Sequence, residues 1–297
     1  MQILLFAMYF ARWVAMIAMA GQCTALFLGA PLGMASDGAS LPQILITTKT
    51  GRKEMPLTVE YSAYAGFQQT TRKMPVLNVT EYALIINEAY ANGGSEPPFT
   101  NISELGVGTN WQNEVFQSAP IHNHNISFKG GKKNSSYSYS GSFLTQDGIV
   151  GGNKSNFTRF TNSASYNLDF LENFKFKSGI TLTRTNKRNL AENSLGSILF
   201  NALNMAPNIP IRDENGDYSL ANGLGGEVIN PLAQIANTYD RTKVMKLNGF
   251  GGLSYDFLEH FTASANIQFN YSEVKNKKFS PIDNYGIGKV FNTERSE

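Results

Sequence analysis

Between residues 261 and 271 apolar and polar side chains alternate without a break. Phe261, Ala263, Ala265, Ile267, Phe269 and Tyr271 share one face, and Thr262, Ser264, Asn266, Gln268 and Asn270 share the other. A period of two is what an extended chain shows when its faces meet different surroundings. The run is 11 residues long, within the roughly 9–11 that a tilted strand needs to cross a bilayer.

The same pattern recurs from residue 57 onward. Leu57, Val59, Tyr61, Ala63, Ala65 and Phe67 lie on one side of a first strand. Tyr137, Tyr139 and Phe143 alternate with serines. Phe160, Ala164, Tyr166, Leu168 and Phe170 alternate with Thr161, Ser163, Ser165, Asn167 and Asp169. Phe174, Phe176, Ile180 and Leu182 follow, and then Met245, Leu247, Leu253, Tyr255 and Phe257 with glycines at 249 and 251. Such patterning predicts about seven or eight strands.

The links between them are unequal. Leu171-Glu172-Asn173 and Leu258-Glu259-His260 are tight turns with aromatics on either side, whereas residues 186–240 form a long connection. Alternating short and long links, with aromatics at the short ends, predict a transmembrane barrel with short periplasmic turns, long external loops and an interfacial girdle.

Two helices are expected in the loops. Asn78 with Glu81 forms a capping-box pattern before Tyr82, Ile85, Ile86 and Ala89, and Asn92-Gly93-Gly94 ends that helix. The second is predicted over 194–205, capped by Ser194, with Leu195, Ile198, Leu199 and Ala202 as its stripe and Pro207 beyond its end. Asn215-Gly216 between two short apolar runs predicts a hairpin tip over 213–217.

Composition agrees with this reading. Charged residues make up 16% and aromatics 12% of 297 residues, whereas soluble domains carry about 25% charge. The net charge is +2, with no long basic run, so nothing points to nucleic acid. One cysteine, Cys23, excludes a disulfide framework and a cysteine-rich zinc site.

Residues 1–42 form a separate unit, strongly apolar over 3–34 with Arg12 as the only charge. A transmembrane helix is opposed by Gly21, Gly29, Pro31 and Gly33 in its later half. A secretory signal lacks its basic leading segment. We favour a lead that is not native coding sequence, with the signal peptide second.

Several blocks resemble one family. Ile44-Leu45-Ile46-Thr47-Thr48-Lys49-Thr50-Gly51 resembles the last plug strand of SusC/RagA-type TonB-linked outer-membrane proteins. Tyr61-Ser62-Ala63-Tyr64-Ala65-Gly66-Phe67-Gln68 is similar to their first barrel strand, and Leu77-Asn78-Val79-Thr80-Glu81-Tyr82 to the helix after it. The most specific block is Asn110-Trp111-Gln112-Asn113-Glu114-Val115-Phe116, followed by Ala119-Pro120-Ile121-His122-Asn123-His124-Asn125, where the family's next strand begins. Tyr137-Ser138-Tyr139-Ser140-Gly141-Ser142-Phe143 with Gln146-Asp147-Gly148-Ile149 is similar to the strand and turn that come next.

The resemblance runs over roughly residues 43–297. It implies residues 43–56 as last plug strand and linker, and 57–297 as the N-terminal part of a β-barrel. With no TonB box in view and only the end of a plug, the chain is expected to be a piece of a larger transporter. The family relation further implies import of oligosaccharides or peptides across the outer membrane, energised through the TonB complex. A SusD-like surface lipoprotein would cap the outer mouth. Two rival readings are a secreted all-β adhesin or glycan-binding module and a passive porin.

Candidate chemistry is sparse. His122 and His124 share a strand face; without a third ligand nearby, we expect two polar residues facing the barrel lumen rather than a metal pair. Asp213, Asn215 and Asp217 are spaced like a calcium loop, but Gly216 precedes the third acidic position, which favours a hairpin tip. Gly223-Leu224-Gly225-Gly226 and Gly286-Ile287-Gly288-Lys289 lack the Ser or Thr of a phosphate loop. Nothing calls for an enzyme, a cofactor or a metal. Trp111, Tyr218 and Tyr239 are the loop aromatics able to stack on a sugar or peptide, with packing inside the loops as the alternative.

Overall fold

A computed structural model of the protein describes residues 51–191, 194–224, 228–257, 261–279, 283–284, 290–291 and 295–296. The lead 1–42, plug-strand residues 44–50, the turn at 258–260, Gly225-Gly226 and residues 286–289 lie outside them.

Seven long strands follow one another: β1 (Thr58–Gln68), β2 (Ala119–Lys132), β3 (Ser135–Asp147), β4 (Asn156–Leu171), β5 (Phe174–Arg188), β6 (Tyr239–Phe257) and β7 (Phe261–Phe279). Each pairs antiparallel with the next, in chain order. Residues Arg295–Ser296 (β10) add a short strand to β7, and Asp283–Asn284 (β8) pairs with Val290–Phe291 (β9). This is a partial antiparallel barrel wall, curved so that one face is concave.

The period-two pattern becomes hoops once the register is known. Tyr61, Ile126, Gly141, Asn162, Leu182, Leu247 and Tyr271 lie side by side across the seven strands. The hoop two residues below them is Val59, Phe128, Tyr139, Ala164, Ile180, Gly249 and Phe269. Between the two, on the other face, runs Glu60, Ser127, Ser140, Ser163, Thr181, Asn248 and Asn270. Apolar side chains therefore collect on the convex face, and serine, threonine and asparagine on the concave one. Gly249 sits under the ring of Phe269, where a Cβ would come within 2.2 Å of Cε1. That glycine lets the aromatic lie flat on the wall.

The convex belt has the height of a membrane. From Phe257 to Met245 on β6 the odd positions are apolar, aromatic or glycine. Twelve residue steps at about 3.4 Å, tilted by about 40°, rise about 31 Å, close to the roughly 30 Å hydrocarbon thickness. The predicted girdle closes the lower edge. Phe170, Phe174, Tyr255, Phe257 and Phe261 form a chain of ring contacts with centroids 5.2, 4.3, 5.9 and 5.8 Å apart. No helix among the described residues is long and apolar enough to cross a membrane.

Two expectations need correction. The second helix is α3 (Ile198–Asn204), capped by the Ser197 hydroxyl rather than Ser194. Leu195 is therefore outside the helix and 70% exposed. Ser197 wins because its side chain reaches the Phe200 amide three residues on, the distance a cap requires. The first helix, α1 (Val79–Asn92), matches its prediction: Asn78 accepts from the Glu81 amide, and Glu81 accepts from the Asn78 amide. Second, His122 and His124 face outward and not into the lumen. They alternate in step with Ile126 and Phe128 on the convex side. The Tyr61 hydroxyl meets His124 Nδ1 at 2.7 Å, and the two rings stack.

Candidate functional site

The buried apolar core of this protein is not in the wall. It lies among the long loops at the end of the barrel opposite the tight turns. Trp111, Val115, Val150, Ile198, Ala202, Met205, Ala221, Val228 and Ile235 form one cluster. Three connections contribute: the β1–β2 loop with α2 (Trp111–Val115), the β3–β4 link, and the β5–β6 loop with α3 and α4 (Pro231–Asn237). A sheet with lipid on one face and water on the other has no interior to fill. The loops must therefore supply their own core.

Hydrogen bonds fix the loops to one another. The Trp111 indole N–H donates to the Ala206 carbonyl at 3.0 Å, and the Thr109 amide to Pro207 at 2.8 Å. Asn201 is wholly buried: its amide nitrogen donates to Gly196 and Gln234, and its oxygen accepts from the Ile229 amide. Asn230 caps α4 through the amides of Leu232 and Ala233, while its own NH2 donates to Ile211 and Ser219. In α1, burial raises the Tyr82 phenol above its ordinary pKa, with the nearby Tyr90 adding to it.

The sequence-predicted residues scatter over this cap. Trp111 is 2% exposed, and its ring belongs to loop packing. Tyr218 carries the Arg212 guanidinium over its ring at 4.3 Å and packs beside Ile229 and Ala233. Tyr239 opens β6 with Arg241 over its ring at 4.7 Å. Residues 213–217 form the expected hairpin tip: Arg212 bridges Tyr218, and Gly216 has φ 85°. Oδ1 of Asp213 accepts from the amides of Asn215 and Asp217, the side-chain-to-backbone pattern of a turn. Among the described residues no group of three His, Cys, Asp or Glu side chains is placed to hold a metal.

Helices α2 and α4 were missed by the periodicity because each is shorter than two turns. Their caps were readable, however: Asn110 accepts from Asn113, and Asn230 precedes a proline at the first helical position.

The concave face is polar. A cleft of about 600 Å³ lies along it, reached by Glu60, Ser138, Ser163, Thr181, Asn248 and Gln268 among others. Ser138 meets Ser165 at 2.7 Å, Ser163 meets Thr181 at 3.0 Å, and Lys129 pairs with Glu60 at 2.8 Å. At the tight-turn end the segment before β1 runs across this face. The Gly131 amide donates to Met55 and the Glu54 amide to Lys132, while Lys53 pairs with Asp169. A Cβ on Gly131 would lie 2.1 Å from the Arg52 carbonyl oxygen, so the linker and the wall touch backbone to backbone.

No protein-family model matches the chain. Relatives do. TonB-dependent receptor P3 of Formosa agariphila is 26% identical over 244 residues, which cover 80% of this chain and 23% of that protein. TonB-dependent receptor SusC of Bacteroides thetaiotaomicron is 31% identical over 186 residues, covering 62% of this chain and 17% of SusC. The solved RagAB peptide transporter superposes with a TM-score of 0.65 at 17% identity, over 80% of this chain and 30% of that one. The resemblance is to SusC/RagA-type TonB-dependent receptors. The SusC/RagA likeness spans roughly a sixth to a quarter of the length of the curated relatives (23% and 17% of the two named). It places β1–β7 as consecutive strands of a SusC/RagA-type transmembrane barrel.

Proposed function

We propose that this chain forms part of an outer-membrane transporter that imports oligosaccharides or peptides, energised through the TonB complex. The observation that carries the reading is the pair of interleaved hoops: an apolar one of membrane height outside, and a Ser/Thr/Asn one lining a water-filled lumen inside. The relatives named as TonB-dependent receptors supply the energy source. A SusD-like lipoprotein would sit over the loop cap, whose packed core makes it a firm docking platform.

Against an adhesin stands the exposed convex belt, with Ile180 48%, Ile267 48% and Phe269 48% exposed. A soluble protein would have to cover it. Against a passive porin stands the linker at 51–56 packed across the lumen wall, where it ties the first strand to whatever precedes it.

Of the three loop aromatics, Tyr218 keeps part of its ring exposed for a substrate, Tyr239 stands on the outer face of β6, and Trp111 acts by holding the loops together. The testing experiment is uptake by the native host. Deleting the gene, or inactivating TonB, should abolish growth on the oligosaccharide or peptide taken up. Growth unaffected by loss of TonB would refute energised import.

A further inference from the structure

Phe250 interrupts the polar face of β6. It points to the lumenal side between Asn248 and Gly252, in a hoop with Ser138, Ser165, Gly179 and Gln268. Gly179, directly opposite on β5, has no side chain, and a Cβ there would come within 2.4 Å of the ring's Cε1. The ring therefore leans over Gly179 with one face against the β5 backbone. Phe250 is 47% exposed, so its other face is open to the lumen. Covering that face with an apolar surface is favourable, and water cannot provide one.

The surroundings name the ligand. Phe250 lines the 600 Å³ cleft of the concave face, within the range of about 300–1,000 Å³ for small-molecule sites. From β3 to β7 its hoop carries no charge, and neither does the hoop above it, Ser140, Ser163, Thr181, Asn248 and Asn270. Glu60 and Lys129, which also line the cleft, stand at its β1–β2 end and pair with each other at 2.8 Å. The hydroxyls and carboxamides of these hoops both donate and accept. A pyranose presents the complement. Its face of polarised C–H bonds seats on the negative face of an aromatic ring, and its rim of hydroxyls both donates and accepts. The charged termini and side chains of a peptide find no counter-charge in these two hoops. Phe250 lies five residues below Met245, about 13 Å inside the upper edge of the apolar belt. That places it along the passage and not at the mouth.

We propose that Phe250, seated on Gly179 and flanked by Asn248, Gln268 and Asn270, is a stacking platform for one sugar ring of a neutral oligosaccharide passing through the lumen. The proposal rests on the import reading above and narrows its substrate to the sugar class.

The test uses the complete transporter carrying these residues, in its own host with the chromosomal copy replaced. Initial uptake is measured for radiolabelled maltohexaose, cellohexaose and xylohexaose, with hexaalanine as the peptide probe. Wild type should take up at least one of the sugars. Phe250→Ala should lower that rate about tenfold at sub-saturating sugar, whereas Phe250→Tyr and Phe250→Trp, which keep a ring face, should stay near wild type. Gly179→Val, which pushes the ring off its seat, should act like Phe250→Ala. Heat-modifiable migration from the outer-membrane fraction shows that each variant barrel is folded. Wild-type sugar uptake by Phe250→Ala would overturn the proposal, as would uptake of hexaalanine and of none of the sugars. An equal loss for sugar and peptide would also overturn it, and would assign the ring to packing against the chain that precedes β1. Uptake unchanged by loss of TonB would refute the import reading instead.

Discussion

The indole N–H of Trp111 reaches the carbonyl of Ala206, 95 residues further along the chain, and ties two external loops into one cap. That bond lies in a buried cluster. Trp111→Phe leaves the carbonyl with the Ile209 amide as its one donor and should cost about 0.5–1.5 kcal/mol of cap stability. The check is limited proteolysis of intact cells. Cleavage in residues 189–238 should accelerate, while heat-modifiable barrel migration stays as in wild type.

A charge on the convex belt should be far more damaging than one on the concave wall. Ile180→Lys places an ammonium near mid-belt and should cost about 2–4 kcal/mol. Thr181→Lys, one residue on, faces the lumen and should cost under about 1 kcal/mol. Urea-unfolding midpoints in lipid vesicles measure both. Equal effects would mean that the faces are not distinct.

Gly131 touches the linker backbone so closely that no side chain fits. Gly131→Val should push residues 51–56 off the wall while leaving the strand pairing of β2 and β3 in place. Increased cleavage at Lys53 by trypsin from the periplasmic side reads this out directly.

The Asp213 carboxylate holds its turn through the amides of Asn215 and Asp217. Asp213→Ala should loosen that hairpin by about 1 kcal/mol, as loss of a comparable cap does. Adding calcium or a chelator should leave the protease resistance of the wild-type loop unchanged. Protection by calcium would restore the metal-loop reading.

These particulars show what the sequence carries and what it hides. The strand faces were legible because alternation is local: Ile180 and Thr181 announce their sides without reference to any partner. The capping box of Asn78 and Glu81 was legible for the same reason. His124 was misplaced because two polar residues within a strand look lumenal until register sets them beside Tyr61 and Ile126. Ser194 was expected as the cap of the second helix because it opens the apolar stripe, and only the fold of the loop shows that the helix begins after Ser197. The seat of Phe250 on Gly179 was invisible because the two lie far apart in the chain and meet only through pairing. The loop core escaped notice in the same way, since its members come from three separate connections.

The central claim is that neighbouring side chains on one strand face lipid and water in turn. Single spin labels at Leu247, Asn248, Leu253 and Ser254 of β6, in the complete barrel in native membranes, test it most directly. Oxygen accessibility should be high at 247 and 253, and aqueous nickel-complex accessibility high at 248 and 254. A uniform aqueous signal at all four sites would contradict the barrel assignment and the transport role built on it.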